Sequence, residues 1–337
     1  MSTQTLTESG PRAGSRLTRR ERFTLYWGKY SAVAILALLV VVFAALEPAF
    51  LKGGNPGRII EQSSITILLA FGEFFAILLA GIDLSVGSVM ALTGVVTAKL
   101  MVAGLPWPAA ALLGGVLVGA LIGLINGTLI SATKLHPFII TLGTMSIFRG
   151  ATYVLSNATA VSGLPPQFSK IVGGRLGGFL PTPILIVAVM LVVLVFFTTK
   201  TKAGRNLYAM GGNPQAAWYA GINANRHTLL AFTISGLCAG LAGTVNVARL
   251  GAAEPNAGTG YETFAIAAVI IAGTSFFGGE GVIWKVLIGG LIIGTINNGL
   301  NMVGVSSYYQ QIAMGALIVL AVTLDRFFGP RAGRRSG

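Results

Sequence analysis

Apolar segments of membrane-spanning length recur along the whole chain and are separated by short polar or glycine-rich links. A helix needs about 20 predominantly apolar residues to cross the hydrocarbon core of a bilayer. Ten segments meet that description, and together they predict an all-α polytopic membrane protein with a single membrane domain, residues 31–327. They cover residues 31–49, 63–80, 84–103, 108–132, 138–155, 184–199, 228–248, 262–277, 282–303 and 310–327.

The longest polar link, residues 200–227, carries four basic residues and no acidic one. Its middle predicts a short helix, with Asn213 as N-cap, Pro214 at the first helical position and Gly221 as a left-handed stop after Ala220. An isolated helix of this length is marginal in water. We therefore expect it to pack either on its own membrane domain or on a partner protein.

The composition supports the membrane assignment. Hydrophobic residues make up 54% of the chain, charged residues 10%, and the mean hydropathy is +0.78, whereas an average soluble domain is about 25% charged. The 46 glycines are typical of closely packed membrane helices. With one cysteine and two histidines, neither a disulfide framework nor a zinc cluster of these residue types is expected. No cofactor is predicted.

The net charge of +13 does not indicate nucleic-acid binding, because the basic residues lie at the chain ends and in particular links. Placing both ends in the cytoplasm assigns sixteen Lys and Arg to inner segments and six to outer ones. The positive-inside rule favours this orientation. It predicts a cytoplasmic N-terminal segment (residues 1–30), a cytoplasmic tail (residues 328–337) and a cytoplasmic 200–227 link.

Several polar residues interrupt the apolar segments. The stretch GIDLSVGS, residues 81–88, predicts a helix break in which Asp83, assisted by Ser85, caps the next helix. This break either borders a translocation path or is a tight interfacial turn. Glu73 and Arg149 fall inside predicted spans, where a charge needs a partner or water. They either pair with each other or lie near an interface.

Neutral hydroxyl and amide side chains within the spans suit a neutral, hydroxyl-rich solute, because each hydrogen bond contributes modestly. Plain interhelical hydrogen bonding is the alternative. The candidates for the translocation pathway are Glu73, Asp83, Ser85, Asn126, Thr141, Arg149, Asn297 and Asn298. A weak internal echo also relates residues 76–87 to residues 268–279, as in transporters built from repeats.

The known nucleotide and hydrolase signatures are missing from the sequence. It contains no GxxxxGK[ST] phosphate loop, no GxGxxG fingerprint, no GxSxG elbow and no HExxH. The chain is therefore not expected to hydrolyse ATP itself, and no catalytic residue is predicted.

Five segments resemble the permease subunit of ribose-type sugar ABC importers. They are GIDLSVGSVMALTG (81–94), ITLGTMSIFRG (140–150), GRNLYAMGGNPQAAWYAGI (204–222), AGTGYETFAIAAVIIAGTSFFGGEG (257–281) and NNGLNMVGVSSYYQ (297–310). GEFFAILLAGIDLS, LHPFIITLGT and ARLGAAEP are most similar to the D-allose branch. The resemblance implies a fold like that of the ten-helix type II importers, in a bacterial inner membrane.

The resemblance also implies partners: a second copy of the chain, a cytoplasmic ATPase with two fused nucleotide-binding domains, and a periplasmic sugar-binding protein. The residues implied to couple to the ATPase are Gly204, Arg205, Tyr208, Gly211, Gly212, Asn213, Gln215, Ala216, Ala217 and Gly221. Two features depart from the family's coupling motif, since Gln215 stands where Glu is usual and a later Leu-Pro is missing. Glu73 replaces the Met that is commoner in the ribose branch, so ribose cannot be carried over as the substrate.

The sequence thus favours a sugar permease powered by ATP hydrolysis on another subunit. The alternative is an ion-coupled secondary transporter of a small polar solute, in which Glu73 and Asp83 would be the ion-binding carboxylates. A membrane enzyme is disfavoured, because no catalytic constellation is present.

Overall fold

The protein is a helical bundle with one two-stranded hairpin. The computed structural model describes residues 19–178 and 180–328. The helices are α1 (Arg19–Leu46), α2 (Asn55–Leu78), α3 (Val86–Val102), α4 (Trp107–Ala110), α5 (Val118–Thr133), α6 (Pro137–Ser156), α7 (Pro166–Val172), α8 (Thr182–Lys200), α9 (Lys202–Gly212), α10 (Pro214–Tyr219), α11 (Ala224–Leu250), α12 (Tyr261–Ile271), α13 (Ile283–Met302) and α14 (Ser307–Phe328). A π-helical stretch, Ala111–Leu117, joins α4 to α5, and strands β1 (Arg175–Leu176) and β2 (Leu180–Pro181) pair antiparallel.

All ten predicted apolar segments contain a helix, but their lengths differ. Six helical segments within the described residues are long and apolar enough to cross a membrane: Asn55–Leu78, Trp107–Thr133, Pro137–Ser156, Thr182–Lys200, Ala224–Leu250 and Ile283–Met302. Shorter apolar helices cover Ser31–Leu46, Val86–Val102 and Tyr261–Ile271. The predicted basic ends lie largely outside the described residues, at positions 1–18 and 329–337.

Helix α2 forms the centre of the bundle. Every residue from Ser63 to Leu78 is buried, and α2 packs against α8, α11, α12 and α13. A helix that is apolar around its whole circumference lies in a protein core or in lipid. Because other helices surround α2, its polar residues must find hydrogen-bond partners on those helices or on nearby turns.

Close glycine contacts join α5 to α11. A Cβ built on Gly119 would lie 2.4 Å from the carbonyl oxygen of Gly236, and one built on Gly236 would lie 2.2 Å from the carbonyl oxygen of Gly119. Gly123 and Gly240 make similar approaches to the facing backbone. Small residues at this spacing let membrane helices pack backbone against backbone. The expectation drawn from the glycine content is confirmed here.

The predicted span 262–277 ends earlier than expected. Helix α12 stops at Ile271, and the chain turns at Gly273, whose φ is +84°. At 1.5 Å per residue, its 11 residues extend for roughly 16 Å, about half of the hydrocarbon core. Residues 272–282 then form a loop, because the glycines at 273, 278 and 279 adopt positive φ values that a helix does not allow.

The two echoing segments adopt related turns. Helix α2 ends at Leu78, and the Oδ1 atom of Asp83 accepts a hydrogen bond from the backbone N–H of Ser85 at 3.1 Å. At the matching positions after α12, the Oγ atom of Ser275 accepts one from the backbone N–H of Phe277 at 3.3 Å. The predicted break at residues 81–88 is confirmed, although its non-helical part covers residues 79–85.

Candidate functional site

A polar cavity of about 510 Å³ lies where α11 ends and α12 begins. Its size falls within the range of small-molecule sites, roughly 300–1,000 Å³. The α2, α13 and α14 helices complete its walls. The side chains that line it with amide or hydroxyl groups are Gln62, Thr66, Asn246, Asn256, Thr259, Tyr261, Asn297, Asn301, Ser307, Gln310 and Gln311.

Local hydrogen bonds hold two walls of this cavity in place. On one side, the Nε2 atom of Gln310 donates to Oδ1 of Asn301 at 2.7 Å and to the carbonyl oxygen of Val305 at 3.0 Å. On the other side, Nη1 of Arg149 donates to the carbonyl oxygens of Pro255 and Ala257 at 2.8 and 2.7 Å. The loop between α11 and α12 is therefore held in place, as are the helices that form the other walls.

A second group of polar side chains is buried at the break between α2 and α3. The carboxyl group of Asp83 accepts hydrogen bonds at both oxygens: Oδ1 from the Ser85 hydroxyl at 2.6 Å and Oδ2 from the Ser235 hydroxyl at 2.7 Å. The Nδ2 atom of Asn126 donates to Oγ of Ser85 at 2.8 Å. The turn that precedes α3 is thereby joined to α5 and α11.

Asp83 does not cap α3 as predicted. Ser85 occupies the N-cap position of α3, and its own side chain makes no capping hydrogen bond. Asp83 lies two residues further from the helix and instead stabilises the turn that leads into it. The predicted side-chain cap of α3 is therefore wrong, because the Asp83 carboxylate is used within the turn before the helix.

Glu73 joins the same group rather than pairing with Arg149. Its Oε1 atom accepts a hydrogen bond from the backbone N–H of Asp83 at 3.1 Å, while Oε2 is buried without a hydrogen-bond partner in the described part of the chain. Arg149 is engaged by loop carbonyls near the cavity. Of the two alternatives left open by the sequence, the pairing of Glu73 with Arg149 is therefore wrong. Thr141 also reaches the break, since its hydroxyl donates to the carbonyl oxygen of Ile82 at 3.0 Å.

The short helix predicted in the polar link is confirmed. Oδ1 of Asn213 accepts a hydrogen bond from the backbone N–H of Ala216 at 3.0 Å, α10 begins at Pro214, and Gly221 has a φ of +76°. The helix ends at Tyr219, one residue before the predicted end. Side-chain capping at one end and a left-handed glycine at the other explain why so short a helix forms.

The two alanines of α10 have different surroundings. Ala216 is exposed, whereas Ala217 is 4% exposed on a helix that packs against α9. Trp218 and Tyr219 are 70% and 81% exposed, with ring centroids 5.0 Å apart. Ala217 thus belongs to the packing of the link itself, and Gln215, Ala216 and the two aromatic residues form its accessible surface.

Helix α9 ties this surface to the bundle. A Cβ built on Gly211 would lie 1.8 Å from the carbonyl oxygen of Leu78 and 2.6 Å from the backbone nitrogen of Gly279. The hydroxyl of Tyr208 donates to the carbonyl oxygen of Gly281 at 3.1 Å. Burial raises the pKa of Tyr208 to about 12, so this hydroxyl stays protonated as a donor well above neutral pH. Gly204 is buried against Phe197, while Arg205 and Gly212 are exposed.

The predicted pathway residues do not form one site in the structure. Glu73, Asp83, Ser85, Asn126 and Thr141 converge on the break after α2. Among the eight candidates Asn297 alone is a lining residue of the polar cavity, whereas its neighbour Asn298 exchanges hydrogen bonds with Asn55 at 2.9 and 3.1 Å. Arg149 supports the loop that closes one wall.

Several cavity residues were missed from the candidate list. Asn246 and Asn301 are polar residues within predicted spans and could have been included on that signal. Gln62 and Asn256 lie in links between predicted spans, whereas Gln311 lies near the start of one. No local pattern marks these three residues as parts of one cavity.

A helical bundle with several membrane-length segments, a polar cavity inside it and a capped surface helix packed on α9 is typical of a multi-pass membrane transport protein. The chain belongs to the family described as the permease component of the branched-chain amino acid transport system, whose sequence profile matches residues 55–322. A permease component is not itself the ATPase of its transporter.

Three relatives illustrate how much of the chain is shared. It is 55% identical over 305 residues to the D-allose transport system permease protein AlsC of Escherichia coli (strain K12), which covers 90% of this chain and 93% of that protein. It is 44% identical over 293 residues to the ribose import permease protein RbsC of Bacillus subtilis (strain 168), covering 86% and 90%. Identity to the galactose/methyl galactoside import permease protein MglC of Escherichia coli (strain K12) is 36% over 323 residues, covering 91% and 96%. No solved structure matches the chain.

Proposed function

We propose that this chain is the transmembrane permease of an ATP-binding cassette importer and translocates a monosaccharide of the allose or ribose kind. The observation that carries the proposal is the 55% identity to a D-allose permease along 90% of the chain. Relatives named for ribose and galactose follow at lower identity. The neutral, amide-rich cavity suits such a solute, because amides both donate to and accept from hydroxyl groups.

In this account, energy is supplied by a separate ATPase that docks on the accessible surface of α10, formed by Gln215, Ala216, Trp218 and Tyr219. A movement of α10 would shift α9. Because Gly211 of α9 contacts both the end of α2 and the 272–282 loop, these two segments would shift as well. ATP hydrolysis would thereby change the packing around the interior break. Each ligand biases the conformational state that it contacts better.

The assembly proposed here contains two copies of the permease, an ATPase with two fused nucleotide-binding domains, and a periplasmic sugar-binding protein. Each copy crosses a bacterial inner membrane about ten times, as in type II importers, with both ends in the cytoplasm. Supporting this orientation, the basic residues cluster at the ends and in the 200–227 link. The 27-residue helix α11 separates that link from the cavity by roughly 40 Å, so a cytoplasmic link goes with a cavity on the periplasmic side in this proposal.

Ion-coupled secondary transport is not supported. Its two carboxylates, Glu73 and Asp83, lie at the break, bonded to the backbone and to serine hydroxyls, and neither lines the cavity.

Uptake measurements test the proposal. Cells that express the permease with its ATPase and its sugar-binding protein should take up labelled D-allose or D-ribose in a vanadate-sensitive manner. Uptake should be lost when the binding protein is omitted, and it should persist when the membrane ion gradients are collapsed with ATP maintained. Uptake that follows the ion gradient and ignores vanadate would overturn the proposal. A thermal-shift screen of the binding protein against a panel of sugars would identify the substrate.

A further inference from the structure

We infer that the polar cavity contains a monosaccharide-binding subsite that belongs to the permease itself. The inference rests on the proposed function and adds to it the residues and the contact chemistry. The subsite combines amide and hydroxyl groups from α2, α11 and α13 with an aromatic pair on α12. It would hold the sugar after the binding protein releases it.

Unsatisfied polar groups in the cavity wall carry the inference. The side chains of Thr66 and Asn246 are 5% and 8% exposed and line the cavity, and neither forms a side-chain hydrogen bond within the described part of the chain. A largely buried polar group without a hydrogen-bond partner is unfavourable. Hydroxyl groups of a bound solute would supply the missing hydrogen bonds.

Apolar side chains line the same cavity. Tyr261 and Phe264 line the same cavity, with ring centroids 5.6 Å apart and ring planes at 61°. Met90 extends this apolar surface. Small-molecule sites typically pair such surfaces with a few polar groups that fix orientation. A sugar has the same two-sided character, since its C–H faces are apolar and its edges carry hydroxyl groups.

The charge of the cavity favours a neutral ligand. One basic residue, Arg249, and one acidic residue, Glu254, are among the lining residues. Among the described lining residues, neither positive nor negative charge is therefore in excess to hold a phosphate or a cation. Each neutral hydrogen bond contributes only modestly to binding, so the ligand binds weakly and can leave towards the other side of the membrane.

The walls are already organised for binding. The Gln310–Asn301 hydrogen bond fixes the side formed by α13 and α14, and Arg149 fixes the loop that carries Asn256. Asn256 is held further by the hydroxyl of Tyr153. Sites whose walls need no rearrangement lose less affinity to ordering on binding.

Saturation-transfer NMR on the purified permease, without its ATPase or binding protein, tests the subsite. The probes are D-allose, D-ribose and L-leucine. The variants are Thr66→Val and Asn246→Leu, with Thr128→Val as the matched control. Thr128 lies on α5, is exposed, and bonds only to the carbonyl oxygen of Leu124 in its own helix. All proteins are first compared by size-exclusion profile and melting temperature.

We expect a saturable signal from at least one sugar, weakened roughly threefold to tenfold by each cavity variant, as for the loss of one hydrogen bond. The control should bind like the wild type, and L-leucine should give no saturable signal. Absence of saturable sugar binding, equal binding by all variants, or binding of L-leucine in preference to both sugars would overturn the subsite. Vanadate-sensitive sugar uptake by the complete wild-type transporter, measured in parallel, would leave the proposed function standing in each of these cases. Its absence would refute the proposed function separately.

Discussion

The backbone N–H of Gly279 donates a 2.9 Å hydrogen bond to the carbonyl oxygen of Leu78. This bond joins the end of α2 to the loop after α12, two segments whose sequences echo each other. The C-terminal end of α9 packs on the same point through Gly211. The surface helix α10, which follows α9 directly, is therefore connected to both interior turns by backbone contacts rather than by adaptable side chains.

Gly211→Ala should disturb this junction. The added Cβ would meet the carbonyl oxygen of Leu78 at 1.8 Å, so the backbone must shift. Overpacking of this kind costs about 1–3 kcal/mol, and we expect a lower melting temperature and at least a tenfold loss of sugar uptake. Gly143→Ala on α6 is the control, because a Cβ there has no neighbour within 4 Å. Wild-type stability and uptake in Gly211→Ala would show that the junction tolerates movement.

Ala216→Asp should weaken binding of the ATPase without affecting the folding of the permease. The position is exposed and lies in the first turn of α10, where a carboxylate interacts favourably with the helix dipole. We expect normal membrane insertion and melting, but a yield of co-purified ATPase reduced at least tenfold. Ala103→Asp, at an exposed alanine following α3, should leave that yield unchanged. Unchanged co-purification in Ala216→Asp would favour an α10 that anchors in lipid headgroups through Trp218 and Tyr219.

Ala217→Asp and Gly221→Val should act differently. Because Ala217 is buried within the chain, a carboxylate there should lower the melting temperature as well as ATPase binding. Gly221→Val forces a β-branched residue into a positive φ of +76°, which should have the same double effect. Circular dichroism melts of the purified variants, compared with Ala216→Asp, check this distinction.

Ser235→Ala should loosen the attachment of α11 to the interior break. It removes the hydroxyl that donates to Oδ2 of Asp83 and leaves a buried carboxyl oxygen without that partner. We expect a loss of about 1–2 kcal/mol in the free energy of unfolding. Thr233→Val is the control, since the Thr233 hydroxyl bonds to Leu229 in its own helix. Equal denaturation midpoints for the two variants would contradict the assigned role of Ser235.

Substitutions at Glu73 should depend on whether an acceptor is kept. Glu73→Gln preserves a side-chain oxygen for the backbone N–H of Asp83, whereas Glu73→Leu leaves that buried donor unpaired. We expect Glu73→Gln to express normally with an altered uptake rate or sugar preference, and Glu73→Leu to be less stable. Uptake assays over a sugar panel, with melting curves, measure both effects. Wild-type transport by both variants would make Glu73 dispensable.

Local features of the fold were predictable from the sequence, and long-range ones were not. The caps of α10 are set by Asn213 and Gly221 themselves, and the break after α2 is set by a short glycine-flanked stretch. In contrast, the cavity is assembled from residues as far apart as Gln62 and Gln311. No local pattern relates such positions.

Adjacent residues can also have surroundings that the sequence does not predict. Asn297 and Asn298 are equivalent polar positions in the sequence, yet one lines the cavity and the other pairs with Asn55. Arg149 was expected to seek a carboxylate but is satisfied by backbone carbonyls, a partner that composition and spacing do not indicate.

Transport by the purified system tests the central claim most directly. The permease, its ATPase and its sugar-binding protein are reconstituted in proteoliposomes, and accumulation of labelled D-allose and D-ribose is followed with and without ATP on the side of the ATPase. We predict accumulation of at least one of the two sugars that requires ATP and the binding protein and is abolished by Ala216→Asp. Accumulation without ATP, driven by an imposed ion gradient, would contradict the account.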